Sequence, residues 1–252
     1  MPSLVRTETI SIPSGDTEIL AYLAEPSSPG RYGAVVVIQE VYGVNSHIRE
    51  VAERLARAGY VAIAPHIYHR QAPGFEVGYT QEELELGRSY KQGTQAEELL
   101  ADVQGAIAYL YSKANVIPEG VGCSGFCFGG HVAYLAATLP QVKATASFYG
   151  AGIATMTPGG GEPTLSRTPE IKGTLYGFFG EKDPLIAADE VDQIEATLKD
   201  HGVPHQIFRY PGAEHGFFCD QRHSYHPEAA SDAWEQVLQL FKTALPTAYE
   251  AS

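Results

Sequence analysis

Cysteine is scarce in this 252-residue chain, which holds only Cys123, Cys127 and Cys219. So small and odd a number argues against a disulfide framework and fits a reducing compartment. Nor do the three have the paired short spacings of a structural zinc site. Basic side chains are also few: 17 Lys and Arg stand against 30 Asp and Glu, for a net charge of −13. That balance repels phosphate backbones and anionic lipid surfaces, so neither nucleic acid nor a membrane is an expected partner. Long apolar runs are missing too. The longest aliphatic run, residues 34–38, falls far short of a bilayer span, and the opening Met1-Pro2-Ser3-Leu4-Val5-Arg6 has no apolar stretch of the kind a secretory leader needs. No repeat, low-complexity tract or composition break divides the chain. The expectation is a single domain over residues 1–252, cytoplasmic, as a monomer or small homo-oligomer, with hydrophobic residues (44%) sufficient for a sizeable core.

What is present is a regular alternation. Residues 8–12 and 18–24 read as two strands around the turn Ser14-Gly15-Asp16, a hairpin at a sheet edge. Residues 33–38 form a β-branched run of the type buried on both faces of a sheet. Helical spacing over 46–58 puts Ile48, Val51, Ala52, Leu55 and Ala58 on one face, and Gly59 ends it. Further strands are expected at 60–64, 119–123, 143–149, 174–179 and 204–210. Helices are expected at 81–90, 95–111, 130–138, 187–201 and 227–245. Two irregular segments stand out, a long surface loop at 66–79 and a Gly/Pro/Thr-rich excursion at 150–169. Strands alternating with helices demand an α/β fold, a mostly parallel sheet with helices on both faces. Ligands bind such sheets beyond the carboxyl ends of the strands.

The residues following those strands carry chemistry. After 119–123 comes Gly125-Phe126-Cys127-Phe128-Gly129-Gly130. A nucleophile elbow turns so tightly from strand to helix that small residues are required two positions either side of the nucleophile. Gly125 and Gly129 meet that requirement for Cys127, whereas Ser124 would have Phe126 in the second small position. The following helix N-terminus favours thiolate over thiol, and the Phe128 amide faces a developing oxyanion. A plain packing role for the two glycines and the cysteine is the competing explanation. Partners should follow in nucleophile–acid–histidine order. Asp183 sits after the 174–179 strand in Gly180-Glu181-Lys182-Asp183-Pro184, and His215 after the 204–210 strand in Glu214-His215-Gly216-Phe217. Asp183 orienting His215, and His215 serving Cys127, would complete a triad. After 33–38, the segment Gln39-Glu40-Val41-Tyr42-Gly43-Val44-Asn45 supplies a second oxyanion amide, that of Val41, and brings Glu40 beside the nucleophile.

These residues resemble the dienelactone hydrolase (carboxymethylenebutenolidase) family of the α/β-hydrolase superfamily, over about residues 8–241. Matching landmarks are 39–45, Tyr68-His69-Arg70-Gln71-Ala72-Pro73-Gly74, 125–130, Ser147-Phe148-Tyr149-Gly150, 180–183 and His215-Gly216-Phe217. The resemblance implies an α/β-hydrolase fold and hydrolysis of an ester or lactone through a thioester on Cys127. It also implies orientation of His215 by Asp183, activation of the thiol by Glu40 when substrate enters, and no metal or organic cofactor.

The departures concern the substrate. Family members hold a carboxylate with arginines, one of them four residues past the histidine, where this chain has Cys219; the other falls near Leu86. Arg70, Arg88 and Arg222 are the candidate replacements, and Tyr42, Tyr68, Phe126, Tyr149 and Phe217 are candidates to line an apolar pocket. An inert thiol is expected for Cys219, against a regulatory disulfide with Cys127. Alternatives are a broad carboxylesterase acting on small neutral esters, and a non-catalytic ligand-binding homologue.

Overall fold

The structure, a computed structural model, describes residues 4–246. Met1 to Ser3 and residues 247–252 lie outside the described residues, and with them part of the leader reading and both ends of the expected domain. Strands β1 (Val5–Ser14) and β2 (Thr17–Pro26) pair antiparallel from Val5 opposite Pro26 to Ser14 opposite Thr17. Each is longer than the alternating pattern foresaw, because the ladder continues through polar edge residues that carry no apolar signal.

Then follow β3 (Tyr32–Ile38), α1 (Ser46–Arg57), β4 (Tyr60–Pro65), α2 (Gln81–Gln92), α3 (Ala96–Ser112), β5 (Val116–Phe126) and α4 (Phe128–Ala136). The chain continues through β6 (Val142–Phe148), β7 (Thr174–Gly180), α5 (Ala188–Asp200), β8 (His205–Tyr210) and α6 (Pro227–Ala244). All eight strands join one sheet in the order β1-β2-β4-β3-β5-β6-β7-β8. From β4 onward every pairing is parallel, and the hairpin adds antiparallel through β2. The expected α/β architecture with its edge hairpin is what forms.

Strand β3 shows why the centre holds. Its residues are buried throughout: Val35 and Val37 pack with α1 and α6 on one face, Ala34, Val36 and Ile38 with α3 and α4 on the other. Each fully buried aliphatic side chain contributes about 1.5–3 kcal/mol. No helix among the described residues is long and apolar enough to cross a membrane.

Three local devices position the site. Asn45 caps α1 by accepting from the Ile48 amide. Thr80 and Glu83 form a reciprocal capping box that fixes the start of α2. The 66–79 segment, irregular as expected, is tied down over the 39–45 loop by a bridge between Gly43 and Glu76 and by the Val77 amide donating to Tyr42 O at 3.0 Å. The 150–169 excursion holds a short 3-10 turn, Thr164–Glu170. Buried His131 anchors it, with Nδ1 3.0 Å from Ala151 O and Nε2 2.7 Å from the Thr164 hydroxyl.

Candidate active site

Strand β5 runs three residues beyond its apolar run, because Ser124 and Gly125 keep pairing with both β3 and β6, and Phe126 with β6. Helix α4 then begins at Phe128, so Cys127 alone makes the turn. It does so at φ +56° and ψ −117°, a sparsely populated region for a residue with a Cβ. The neighbouring glycines are sterically required. A Cβ on Gly125 would meet the Gly129 carbonyl, and one on Gly129 would meet the carbonyls of Ile38 and Gln39. Ser124, the other candidate, is buried within the ladder.

Asp183 and His215 arrive from the ends of β7 and β8. Asp183 Oδ2 is 2.7 Å from His215 Nδ1, while Oδ1 accepts from the Leu185 amide at 2.8 Å. Both carboxylate oxygens are thereby engaged, which fixes the carboxylate plane and the imidazole against it. His215 Nε2 is buried and makes no hydrogen bond of ordinary geometry among the described residues. It is nonetheless near enough to Cys127 for each to shift the other's ionisation.

Burial opposes the charged form of both groups, but the mutual attraction wins. The Cys127 thiol is brought below its ordinary value by the His215 charge despite burial, which acts the other way. Burial likewise disfavours imidazolium, yet the Cys127 thiolate and the Asp183 carboxylate raise His215 to about 10. Cys123 and Cys219 behave oppositely: burial pushes each thiol up to about 12. Only Cys127 therefore has the electrostatics of a reactive thiol.

Glu40, at the end of β3, is fully buried, and Arg222 Nη1 reaches its Oε1 at 3.0 Å. Its Oε2 has no hydrogen-bond partner among the described residues. A cavity of about 470 Å³ opens over Cys127, His215 and the oxyanion candidates Val41 and Phe128. Phe128 is the first residue of α4, where an amide has no acceptor within the helix.

Of the expected substrate contacts, Tyr42, Arg88 and Arg222 line that cavity. Arg70 does not: its guanidinium is held by buried Asp102 on α3 at 2.7 Å and by the Ser14 hydroxyl at 2.8 Å. Phe126, Tyr149 and Phe217 are buried and absent from the lining as well. Phe126 stacks between Phe148 and Phe218, and Phe217 packs on Tyr149 and Tyr210. Tyr149, itself at φ +37°, sets its ring edge-on against His215, 5.1 Å between centroids. It supports the imidazole from behind. Tyr68 is likewise in the core, stacked on Phe128.

Sequence reasoning passed over several lining residues. Lys91 lies one turn beyond Arg88 on α2, and its ammonium is 5.3 Å from the Phe128 ring centroid; the helical spacing of the two was the available signal. Ala151, Gly152, Thr155 and Met156 come from the 150–169 excursion, Glu190 from α5 and Glu214 from beside His215. Glu190 Oε1 accepts from the Gly152 amide at 3.2 Å and so ties α5 to that wall.

Residues 19–245 match the sequence profile of the dienelactone hydrolase family. A carboxymethylenebutenolidase-type protein of Synechocystis sp. is 57% identical over 96% of this chain and 98% of its own length. A dienelactone hydrolase-type crystal structure from Klebsiella pneumoniae superposes with a TM-score of 0.86 at 30% identity, covering 95% of this chain and 99% of that one. A dienelactone hydrolase from Anabaena variabilis, at 20% identity and a TM-score of 0.70 over 96% and 99%, shares the fold. By sequence and by architecture, the chain belongs to the dienelactone hydrolase family of the α/β-hydrolase superfamily.

Proposed function

We propose that the protein hydrolyses a lactone or ester bearing a negative charge, with Cys127 as nucleophile, His215 as general base and acid, and Asp183 as its orienting partner. The reading rests above all on the lowered Cys127 thiol and raised His215 imidazole facing one cavity, with Asp183 2.7 Å behind the ring.

In this mechanism the Cys127 thiolate attacks the substrate carbonyl carbon and a C–S bond forms. The carbonyl oxygen takes the electron pair and is held by the Val41 and Phe128 amides. Collapse of the tetrahedral species breaks the C–O bond, and His215 gives its proton to the departing oxygen. The product of this half is a thioester on Cys127; for a lactone the leaving alcohol stays attached to the acyl group. Water, deprotonated by His215, then attacks the thioester and releases the acid, returning the thiolate and imidazolium. Glu40 is assigned the part of assisting thiol ionisation once substrate draws Arg222 away from it. No cofactor enters any step.

Substrate charge follows from the cavity wall. Arg88 and Lys91 have no carboxylate within ion-pair distance among the described residues, whereas Arg222 on the same lining is paired with Glu40, and Glu190 and Glu214 also line the cavity. Arg88 and Lys91, two cations without an ion-pair partner in this cavity, favour a carboxylate-bearing substrate over a neutral ester. The test compares a dienelactone carrying a carboxylate with an uncharged aryl ester, using wild type and Cys127→Ala. The expected result is preference for the charged lactone and a loss of about ten-thousand-fold in kcat/KM for the variant. Full activity in Cys127→Ala would end the mechanism, and a strong preference for the neutral ester would make the protein a general carboxylesterase instead.

A further inference from the structure

Behind the triad lies a second cluster that the hydrolytic mechanism does not use as a unit. A carboxylate oxygen of Glu40, a ring nitrogen of His47 and the Sγ of Cys219 all lie within 4.8 Å of one another, and all three residues are buried. They come from three separate segments: the end of β3, the first turn of α1 and the loop after His215. Two of them carry buried atoms with no hydrogen-bond partner among the described residues, Glu40 Oε2 and His47 Nε2. Orphaned polar atoms on two residues clustered with a buried thiol are a costly arrangement in a core where nearly every such group is satisfied.

We propose that Glu40, His47 and Cys219 form a binding site for one thiophilic divalent cation, of which zinc is the type. The donor set, one carboxylate oxygen, one imidazole nitrogen and one sulfur, is that of borderline-soft ions and excludes magnesium or calcium. Four-coordinate zinc at about 2.0–2.3 Å from its ligands separates donors by roughly 3.3–3.8 Å, so the three side chains need close by only about an ångström. The fourth position is left to water or to Tyr79, whose hydroxyl stands 3.2 Å from the Cys219 Sγ.

Zinc binding would displace the Cys219 thiol proton to solvent, with no change of oxidation state. Arg222, on Glu40 Oε1, is an adverse charge in contact with the cluster. Carboxylate and thiolate together offset most of it and of the ion. His47 also lines a separate cavity of about 200 Å³, together with Glu50, Asp220 and Arg54.

If Glu40 has the activating part proposed above, a bound ion would hold it off Cys127 and inhibit the enzyme reversibly. That consequence rests on the proposed mechanism, whereas the binding itself does not. The test therefore reads binding first. Chelator-treated protein is titrated with Co²⁺, followed by thiolate-to-cobalt charge-transfer absorption, and the cobalt is then displaced with Zn²⁺. One ion per chain is expected, with the charge-transfer band present in wild type and in Cys127→Ser but absent in Cys219→Ser. His47→Gln should keep a band yet bind at least about a hundredfold more weakly, beyond the roughly 10–100-fold typical of losing an outer-shell partner.

A band that survives Cys219→Ser, a band lost in Cys127→Ser (an ion held by the triad instead), an unchanged affinity in His47→Gln, or no ion retained by wild type would each overturn the proposal. Should Cys219→Ser fail to fold, as judged by circular dichroism, the His47→Gln and Cys127→Ser arms decide. Binding without inhibition would leave the site standing and remove the activating part from Glu40.

Discussion

Arg222 Nη1 stands 3.0 Å from Glu40 Oε1 across 182 residues of sequence, joining a fully buried carboxylate to a guanidinium at the cavity wall. The arginine is further held over the rings of Tyr42 and Tyr79, 5.7 and 5.9 Å from their centroids. Removing one member of a buried pair strands the other, at a cost of roughly 3–5 kcal/mol, whereas removing both costs far less. Arg222→Met should accordingly lower unfolding stability by about 3 kcal/mol. Adding Glu40→Gln should restore most of it, because an amide needs no counter-ion. Guanidinium unfolding midpoints at constant m-value measure both. Equal losses in the single and double variants would show that the stranded Glu40 charge is not the source of the loss.

Ionisation of Cys127 and His215 can be read without any substrate. Iodoacetamide reacts with thiolate, and the Cys127 thiol lies below its ordinary value of 9.0 while His215 is raised to about 10. The sign follows: a depressed thiol pKa extends reactivity to lower pH, and a raised imidazole pKa keeps the stabilising cation up to about pH 10. The alkylation rate of Cys127 should therefore rise through a midpoint below pH 9. In His215→Asn the burial of the thiol persists without the cation, so the midpoint should move above that of wild type. Mass spectrometry of the labelled peptide separates Cys127 from Cys123 and Cys219, whose neutral thiols should stay unlabelled at neutral pH.

Why some of this was legible in the sequence and some was not follows from which interactions are local. The grouping of Cys127, Asp183 and His215 was readable because parallel strands deliver their carboxyl ends to one edge, and because Gly125 and Gly129 mark a turn only small residues allow. The β1–β2 hairpin and the central strands were readable from period and turn residues. Arg70 was not, since its partner Asp102 lies on α3, 32 residues away, and nothing local says the pair forms. Phe126 and Phe217 lie close to Cys127 and His215 in sequence and Tyr149 follows β6, but an aromatic ring at this sheet edge serves core and pocket equally well in a pattern. The juxtaposition of Glu40, His47 and Cys219 is wholly tertiary.

The elbow makes a steric prediction. In Gly129→Ala the new methyl would press on the carbonyls of Ile38 and Gln39, which are backbone and cannot swing aside. Overpacking of this kind costs about 1–3 kcal/mol, and here it also shifts the segment carrying Glu40 and Val41. Gly160→Ala is the control: φ is +95°, but nothing lies within 4 Å of the added carbon, so only backbone strain of about 1–2 kcal/mol applies. Both variants should lose stability in thermal melts, while Gly129→Ala alone should also slow alkylation of Cys127. A Gly129→Ala protein with unaltered thiol reactivity would mean that the turn tolerates more displacement than its contacts suggest.

The cationic wall leads to a prediction about binding rather than chemistry. Arg88 and Lys91 project from one face of α2, whose start is fixed by the Thr80–Glu83 capping box, so their positions do not depend on substrate. Contacts made equally to substrate and transition state change KM and leave kcat alone. Replacing either cation by glutamine should raise KM for a carboxylate-bearing lactone about tenfold, the equivalent of roughly 1.4 kcal/mol, with kcat within about twofold. The same variants should treat a neutral aryl ester as wild type does. Charge reversal in Lys91→Glu should deepen the effect on the anionic substrate, since repulsion then replaces attraction at the same distance. The effect should shrink as salt is added, because the cavity mouth is open to screening ions. A fall in kcat without a change in KM would place Arg88 or Lys91 at the reacting carbonyl instead, and would move the carboxylate subsite to Arg222 alone.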